Sequence, residues 1–578
     1  MASEVGEAVP AGGAEEVKPY KIHVSSKYLD LTKQKLEVTR LPHEHELSEP
    51  KSQDWWEPKS RVEPLIDFWL EQYSWRTQED LLNELPQFRT EFSVPSSEAT
   101  VRIHFIHARS SHSNAIPLLL IPPFPFSTLS FGHLIKLLTD PEDAAKNQPF
   151  HLVMPSLPGL GFSDALPNNT PVISSTAEIL NSLMGRLSYP HYVVTNASSG
   201  AASPAEIDFH LVNHLVTYYM SSCLGAHLIS PPLSQPKLQE APIEWAKWSI
   251  ASLLHAPILG YHSEDFSALE RSGYVRPSKK SPTPTQFGLN QLGLREPNTL
   301  AYALCDSPTG LLVFVMKSLR ILSPKRKEKF TPTELINFTE LAWLPGPEAA
   351  MRFWAHCVRH PEPVEKKTPI KPKVGITVFL GDEPGTDTIA EVERSAEASA
   401  GAEVETDTAT MTQDEAKDSY TCPSWANAKY NVLYTHRASG KSGLLAWERP
   451  ELIAAGIREV AASIARSDSR LRPSTTPTVA PLERVVVHSD TADEQTPTAP
   501  TRPAPAFLAP PSGEERGHPI REISEETAVG SSENVAGKTP SPGPKAPSPA
   551  HLAPPTDERT HPRREASDDT AVEQPANE

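Results

Sequence analysis

The clearest candidate for a catalytic segment is a run of small residues that directly follows an apolar stretch. Residues 192–195 are β-branched or aromatic and lead into the sequence NASSG at 196–200, with Ser198 at its centre. A strand, a tight turn around a central serine and a helix together form a nucleophile turn of the G-x-S-x-G type. Asn196 replaces the first glycine, and asparagine tolerates a left-handed backbone better than most residues. Pro204 suits the first turn of a following helix. The pattern predicts a nucleophile turn, with a serine-rich strand-to-helix loop as the alternative.

Several motifs stand in a fixed order around this turn. They are residues 20–24 (YKIHV), 54–56 (DWW), 75–79 (WRTQE), 86–88 (PQF), 103–107 (IHFIH), 154–164 (MPSLPGLGFSD), 303–312 (ALCDSPTGLL) and 447–452 (WERPEL). Together they resemble the epoxide hydrolases of the microsomal type, members of the α/β-hydrolase superfamily. The resemblance covers about residues 20–466 apart from one insertion.

The resemblance assigns the catalytic positions. In the family an aspartate attacks the epoxide, a histidine activates the water that hydrolyses the resulting ester, and an acidic residue orients the histidine. The family motif G-G-D-W-G falls on residues 196–200, so Ser198 stands at the nucleophile position. Asp382 stands at the acid position, and Gly443 stands where G-G-H-F-A-A has its histidine. The resemblance therefore implies an epoxide-hydrolase-like protein whose nucleophile and base are substituted, and we expect impaired catalysis or a pseudoenzyme.

Two active alternatives stay open from the sequence. His436 lies seven residues before Gly443, and the order Ser198, Asp382, His436 keeps the superfamily's chain order. This arrangement would make a serine esterase or a lipase-like hydrolase, whereas a surface histidine after a strand is the other interpretation. A residual epoxide hydrolase would need an acidic side chain at the turn, and residues 196–200 contain none.

The remaining site positions concern the oxyanion loop and the lid. The family's H-G-x-P motif falls on residues 122–125 (PPFP), where Phe124 keeps a backbone amide; the second oxyanion amide falls on Ser199. Of two lid tyrosines in the family, one is similar to Tyr274 and the other falls on Trp354, whose indole can only donate. We expect an apolar pocket under the lid, lined by Phe124, Tyr274 and Trp354, that admits a small apolar ligand.

The architecture expected is an α/β-hydrolase fold. Strands that alternate with helices imply a mostly parallel sheet with helices on both faces. We expect strands to begin near residues 101, 118, 151, 192 and 216, followed by strands at 375–379 and 432–436 and a last helix at 450–466. The predicted division is residues 1–19 disordered, 20–98 an N-terminal meander, 99–230 the first part of the core, 231–365 a helical lid and 366–466 the second part of the core. Within the last lies an acidic disordered insertion at 383–420, and 467–578 form a proline-rich disordered tail.

The net charge and the proline content of the chain limit the classes of partner that it can bind. The chain has 578 residues, 60 prolines and a formal net charge of −18, which argues against general binding to nucleic acid or anionic membranes. The first residues lack the features of a signal peptide, and apolar runs such as 309–316 are too short to span a bilayer. We therefore expect neither a transmembrane segment nor the N-terminal anchor of some relatives. The proline-rich tail is a candidate ligand for modules that recognise polyproline helices, with an unselected solvated extension as the alternative.

Cysteine usage indicates a reducing compartment. Cys223, Cys305, Cys357 and Cys422 stand far apart with no C-x-x-C pair. Such spacing is typical of reduced thiols in a cytoplasmic protein and of neither a disulfide framework nor a zinc site. The sequence predicts no metal and no cofactor.

Limited proteolysis tests the two predicted disordered segments. We expect a protease to remove the chain beyond about Arg466 and to cut within 383–420 while one compact core survives. Neither stretch can bury enough apolar area to offset its ordering entropy. Mass spectrometry of the fragments locates the cuts, and stable protected fragments from the tail would contradict the prediction.

Overall fold

The computed structural model describes residues 16–43, 58–94, 97–200, 203–272, 297–323, 330–362, 370–382 and 420–471. Contacts group the chain into two units, residues 1–507 and 508–578, and every described residue falls in the first. Most of the predicted insertion, the tail and the first residues thus lie outside the described part.

A nine-stranded sheet organises the described residues. Its strands are β1 (Lys18–Pro19), β2 (Gln87–Ser93), β3 (Thr100–Ala108), β4 (Ile116–Ile121), β5 (Phe150–Pro155), β6 (Tyr192–Asn196), β7 (Cys223–Ile229), β8 (Lys373–Phe379) and β9 (Asn431–Ala438). The order across the sheet is β1-β2-β3-β5-β4-β6-β7-β8-β9. Strands β1, β2, β3 and β5 pair antiparallel, and every pair from β5 to β9 is parallel. The predicted, mostly parallel sheet is confirmed.

Helices flank the sheet and follow its strands. They are α1 (Ser26–Glu37), α2 (Lys59–Glu71), α3 (Trp75–Leu82), α4 (Leu134–Thr139), α5 (Val172–Arg186), α6 (Ile207–Tyr218), α7 (Pro242–Leu254), α8 (Ser263–Arg271), α9 (Pro297–Asp306), α10 (Pro308–Leu322), α11 (Pro332–Trp343), α12 (Glu348–Arg359), α13 (Leu445–Glu448) and α14 (Pro450–Ser467). Helices α7 to α12 all lie in the chain between β7 and β8, where the lid was predicted.

Alternate residues of the central strands belong to two separate cores, because successive side chains of a strand point to opposite faces. Leu119 and Val194 pack with α5 and α6. Leu118 and Val193, their neighbours in sequence, pack with α4 and α14. Strands covered on both faces read as continuous apolar runs, which is the pattern of β4 and β6.

One predicted strand is wrong. The strand expected near residue 216 is the C-terminal half of α6, and the strand of that region is β7, which begins at Cys223. Residues 215–219 (LVTYY) are rich in β-branched and aromatic types, which favour strands. In the structure Leu215 and Val216 are buried on α6 against the sheet, so tertiary packing decides against local preference.

The predicted disordered segments have structured margins. Lys18–Pro19 forms β1 against β2, although residues 1–19 were expected to be disordered. Tyr420, the last residue of the expected insertion, is buried and its hydroxyl donates to Asp265. At the start of the expected tail, α14 extends to Ser467 and Leu471 is buried. The residues at each of these boundaries are ordered by strand pairing or by burial against the core. The composition of the segment does not reveal such contacts.

No helix in the described part is long and apolar enough by itself to cross a membrane. Helix α9 and the first part of α10 meet the length and composition only as a pair, and they are bent by 118° against each other.

Helix α2 of the N-terminal region contacts α11 through the buried carboxyl group of Glu340. Glu340 on α11 accepts a hydrogen bond of 3.1 Å from the indole nitrogen of Trp69 on α2. Its second oxygen, Oε2, has no partner among the described residues. Burial raises the pKa of Glu340 to about 8, against the opposing effect of the Trp69 hydrogen bond.

Replacement of Glu340 by glutamine should therefore change how stability depends on pH. A carboxyl whose pKa is higher in the folded state contributes most stability below its unfolded pKa and loses it as pH rises through the folded value. We expect Glu340→Gln to flatten this fall and to exceed the parent in stability by up to about 5 kcal/mol above pH 8. Denaturant unfolding between pH 5 and pH 9 measures it, with the exposed Glu270→Gln as control. Parallel profiles for all three proteins would refute the burial of a carboxyl at this position.

Candidate active site

Ser198 lies just beyond the carboxyl end of β6, at the edge of the sheet where α/β proteins bind ligands. Its side chain is partly buried, and its hydroxyl donates a hydrogen bond to Oδ2 of Asp208. Asp208 is the second residue of α6. The serine at the predicted nucleophile position is therefore paired with a carboxylate ten residues further along the chain.

Asp208 is the chemically distinctive residue of this region. It is completely buried, and its other oxygen, Oδ1, accepts a hydrogen bond of 3.2 Å from the backbone amide of Phe124. Burial raises the pKa of Asp208 to about 7, while the hydrogen bonds from Ser198, Phe124 and Ser203 act in the opposite direction. The carboxyl is thus a buried acceptor held by two separate segments, the loop after β4 and the turn after β6.

This contact involves one of the two predicted oxyanion positions. An oxyanion site works because its amides point at the place where negative charge develops. The amide of Phe124 already donates to the Asp208 carboxyl. At the second position Ser199 is buried, and its carbonyl accepts a bond of 3.0 Å from the amide of Ser203.

The backbone around Ser198 differs from a strained nucleophile turn. Ser198 is not among the described residues with positive φ, whereas Ala205 (φ 50°) and Glu206 (φ 54°) are. Helix α6 begins only at Ile207. The left-handed backbone that a nucleophile turn places at its serine is found here just before the helix, so the turn is longer and less sharp than the pattern predicted.

His436, the predicted alternative base, does not lie within hydrogen-bond distance of Ser198 in the described structure. His436 lies on β9, and β9 is separated from β6 by β7 and β8. Three steps between neighbouring strands amount to about 14 Å. His227 lies on the adjacent strand β7, but its two ring nitrogens bond with Thr195 and Thr377 at 3.2 and 2.9 Å. Burial lowers the pKa of His227 to about 3, so it is a neutral core residue.

The positions of the acid and the lost base lie near each other. Asp382 follows β8, and its Oδ1 is 3.9 Å from where a Cβ on Gly440 would stand. Gly443, in the same loop, has φ +56°, and a Cβ there would lie 2.5 Å from Oε2 of Glu448. A histidine at position 443 would therefore need both a left-handed backbone and a displaced Glu448 side chain.

Aromatic side chains close the space above Phe124. The Phe124 ring is 5.7 Å from the ring of Phe353 and 6.1 Å from that of Trp354, both on α12 of the lid. Phe124 and Trp354 are each 2% exposed. Phe124 and Trp354 thus lie together, but of the three residues expected to line the pocket only Trp354 lines the cavity beside them, and Tyr274 lies outside the described residues.

An apolar cavity of about 70 Å³ lies beside this aromatic cluster. It is bounded by residues 125–127 and 159–161 and by α10, α11 and α12, and Trp354 contributes to its wall. Neither Ser198 nor Asp208 lines it. The space available to a small apolar molecule is therefore displaced from the position of the nucleophile.

Asp208 is the residue that sequence reasoning missed. A residual epoxide hydrolase needs an acidic side chain that residues 196–200 lack, yet the structure brings the Asp208 carboxyl to this turn. The available signal was the pattern IDFHLV at 207–212, an aspartate on an otherwise apolar helix start. A charged residue within a buried face requires partners, and it marks a candidate site.

Among the described residues, no group of three or more His, Cys, Asp or Glu side chains is arranged to hold a metal ion. The four cysteines are free thiols, with Cys223 and Cys422 buried and Cys305 exposed.

Comparison with known proteins yields epoxide hydrolases. The family model "Epoxide hydrolase N terminus" matches residues 17–131. A putative epoxide hydrolase of Stigmatella aurantiaca is 28% identical over 333 residues, 57% of this chain and 66% of that protein. Juvenile hormone epoxide hydrolase 1 of Ctenocephalides felis is 27% identical over 310 residues, 52% of this chain and 59% of that protein. The chain thus spans less than two thirds of the length of these curated relatives.

Solved structures agree in fold. The juvenile hormone epoxide hydrolase of the silkworm Bombyx mori superposes with a TM-score of 0.56 at 20% identity, covering 78% of this chain and 95% of that chain. The epoxide hydrolase of Aspergillus niger gives 0.54 at 18% identity, covering 78% and 96%. The chain therefore matches the epoxide hydrolase N-terminal model over residues 17–131 and shares the α/β-hydrolase fold of these epoxide hydrolases.

Proposed function

We propose that this protein is an epoxide-hydrolase-like α/β-hydrolase that no longer catalyses epoxide opening and that binds a small apolar ligand under its lid. The observation that carries the proposal is the Asp208 carboxyl, which accepts hydrogen bonds from both the Ser198 hydroxyl and the Phe124 amide. One buried side chain thereby engages the group at the nucleophile position and one of the two oxyanion amides.

Serine attack is disfavoured by this arrangement. A hydroxyl becomes a strong nucleophile when a base removes its proton and later delivers it to the leaving group. Asp208 is completely buried, and no described imidazole hydrogen-bonds to it or to Ser198. Its negative charge also lies where an oxyanion would need the Phe124 amide, so the developing charges would repel each other.

Attack by Asp208 itself is disfavoured for a different reason. A carboxylate that opens an epoxide must reach the reacting carbon, and the ester that forms must then be hydrolysed by an activated water. Asp208 has no exposed surface and does not line the lid cavity. Gly443 at the base position provides no side chain to activate the water.

The lid cavity is the part of the site that supports ligand binding. Its walls are mainly aliphatic and aromatic side chains, including Phe126, Leu311 and Phe338, with Ser127 and Ser318 as the hydroxyl-bearing residues. Binding of an apolar molecule in an apolar cavity is favourable because apolar surface of the ligand and of the cavity walls is removed from water. A compact hydrocarbon or an aromatic ring with few polar atoms fits this chemistry.

A serine hydrolase is the second candidate, because the Ser198 hydroxyl does donate to a carboxyl. In that case Asp208 would act as the base.

The four free cysteines support placing the protein in the cytoplasm as part of the same proposal. The proline-rich tail is proposed as a ligand for polyproline-binding modules.

Turnover by variants separates these functions. We expect the parent protein, Ser198→Ala, Asp208→Asn and His436→Ala to give the same background rates with styrene oxide and with p-nitrophenyl acetate. Loss of an operating triad residue typically lowers the rate by at least 10⁴-fold, so a working site would be plainly visible. Asn at position 208 keeps an acceptor for the Phe124 amide, and thermal unfolding checks that each variant is folded.

Two outcomes would overturn the proposal in different ways. Ester hydrolysis that falls on changing either Ser198 or Asp208 would identify a serine hydrolase with Asp208 as its base. Epoxide hydrolysis that requires Asp208 but tolerates Ser198→Ala would identify a residual epoxide hydrolase with a relocated carboxylate.

Ligand binding in the cavity is tested by filling it. Ala350 lies in the cavity wall, and Ala350→Leu should occupy part of its volume. We expect saturating benzene to raise the Tm of the parent protein by a few degrees, because a ligand that binds only the folded state stabilises it. The variant should show less than half of that shift, and Ala455→Leu on exposed α14 should retain it. Equal shifts in all three proteins would place the binding elsewhere.

A further inference from the structure

Helix α7 and the loop after it carry a concentration of exposed apolar side chains. Of the 14 large apolar residues that are exposed in the described part of the chain, eight lie between residues 238 and 259. We call this set the α7 ridge; it consists of Leu238, Ile243, Trp245, Ile250, Leu253, Leu254, Ile258 and Leu259. A cluster of exposed apolar side chains on one element is a candidate interaction surface.

Three residues of the ridge form a stripe along a fixed helix. Ile243, Ile250 and Leu254 follow each other at helical spacing, so they share one face of α7. The opposite face is anchored: Trp248 is 5% exposed and packs on the rings of Tyr261 and Trp425 at 5.3 and 5.2 Å. The helix thus has an inner apolar face that holds it to the protein and an outer apolar face turned to solvent.

The exposure is largest at the C-terminal end of the helix. Leu253 is 79% exposed and Leu254 is 61% exposed. His255 follows in a left-handed conformation (φ 47°) and ends the helix, and Ile258 and Leu259 extend the apolar surface into the next turn. Side chains this exposed protrude from the surface and do not form the floor of a groove.

The charges along the ridge cancel. Lys237 pairs with Glu240 at 3.1 Å, and Lys247 pairs with Glu244 at 2.9 Å. Each lysine is therefore matched by a carboxylate one helical turn away. The ridge presents apolar side chains between neutral ion pairs, and the net charge of the whole chain is −18. A strongly anionic partner surface would be repelled.

The size of the ridge distinguishes between a second protein and a lipid surface. A helix of 13 residues is about 20 Å long and about 10 Å wide. Its footprint is therefore about 200 Å², against about 800 Å² per partner in a stable protein interface. A bilayer has no such requirement, since protruding side chains enter the interfacial region individually.

We infer that the α7 ridge docks this protein onto zwitterionic phospholipid surfaces, with α7 parallel to the membrane plane and its outer face among the acyl chains. The helix is too short to span a bilayer, and its outer apolar stripe faces away from the inner face that anchors it. The inference does not depend on whether the site under the lid is active.

Vesicle binding tests the inference on the full chain. We expect the protein to float with phosphatidylcholine vesicles and the double variant Leu253→Ser/Leu254→Ser to bind at least tenfold more weakly, because the two most exposed leucines of the ridge no longer gain from burial. The matched control is Val38→Ser/Ile370→Ser, which removes two other highly exposed apolar residues, at 77% and 71%, and should bind like the parent.

Four outcomes would overturn it. The first is no binding of the parent protein to phosphatidylcholine, and the second is equal loss of binding in the control variant. The third is binding that rises steeply when phosphatidylserine is added, which would assign the effect to a basic patch elsewhere. Sedimentation of the parent at increasing concentration completes the test, because a dimer abolished by Leu253→Ser/Leu254→Ser without vesicle binding would make a second copy the occupant.

Discussion

The region after β6 is organised by one buried carboxyl group. Asp208 takes a proton donor from the turn after β6 and another from the loop after β4, so it fixes both segments to the first turn of α6. A buried carboxyl is stable only if its oxygens have donors, and here each oxygen has one. The same two donors are the groups that a hydrolase of this fold would direct at its substrate. The hydrogen bonds that stabilise the turn therefore occupy the Ser198 hydroxyl and the Phe124 amide.

The aromatic residues above this carboxyl depend on it. Phe124 presents its amide to Asp208 and its ring to Phe353 and Trp354 of the lid. The lid is also held to the core at another point, where Arg437 of β9 forms a two-pronged ion pair with Asp265 of α8 at 2.8 Å per contact. Asp265 is fully buried, and a buried pair of this kind resists removal of either partner. The lid thus closes on an aromatic surface and leaves the small cavity as its internal space.

Patterns within single elements could be read from the sequence, and contacts between elements could not. The apolar runs of β4, β5 and β6 and the motifs around them predict a mostly parallel sheet, whereas the order of its strands is known only from the structure. Residue 216 was assigned to a strand because local composition cannot tell a buried helix from a buried strand. Ser198 was found because its neighbours form a motif. Asp208 was missed because its role arises only when α6 folds against the loop after β4.

The proposed function requires that neither the Ser198 hydroxyl nor the Asp208 carboxyl reacts with a substrate. Covalent labelling measures this reactivity directly. The protein would be incubated with a fluorophosphonate and, separately, with styrene oxide, then digested, and the mass of the peptide containing both residues determined. The account predicts no added mass on either side chain. A stoichiometric phosphonate on Ser198, or an ester of the opened epoxide on Asp208, would contradict it.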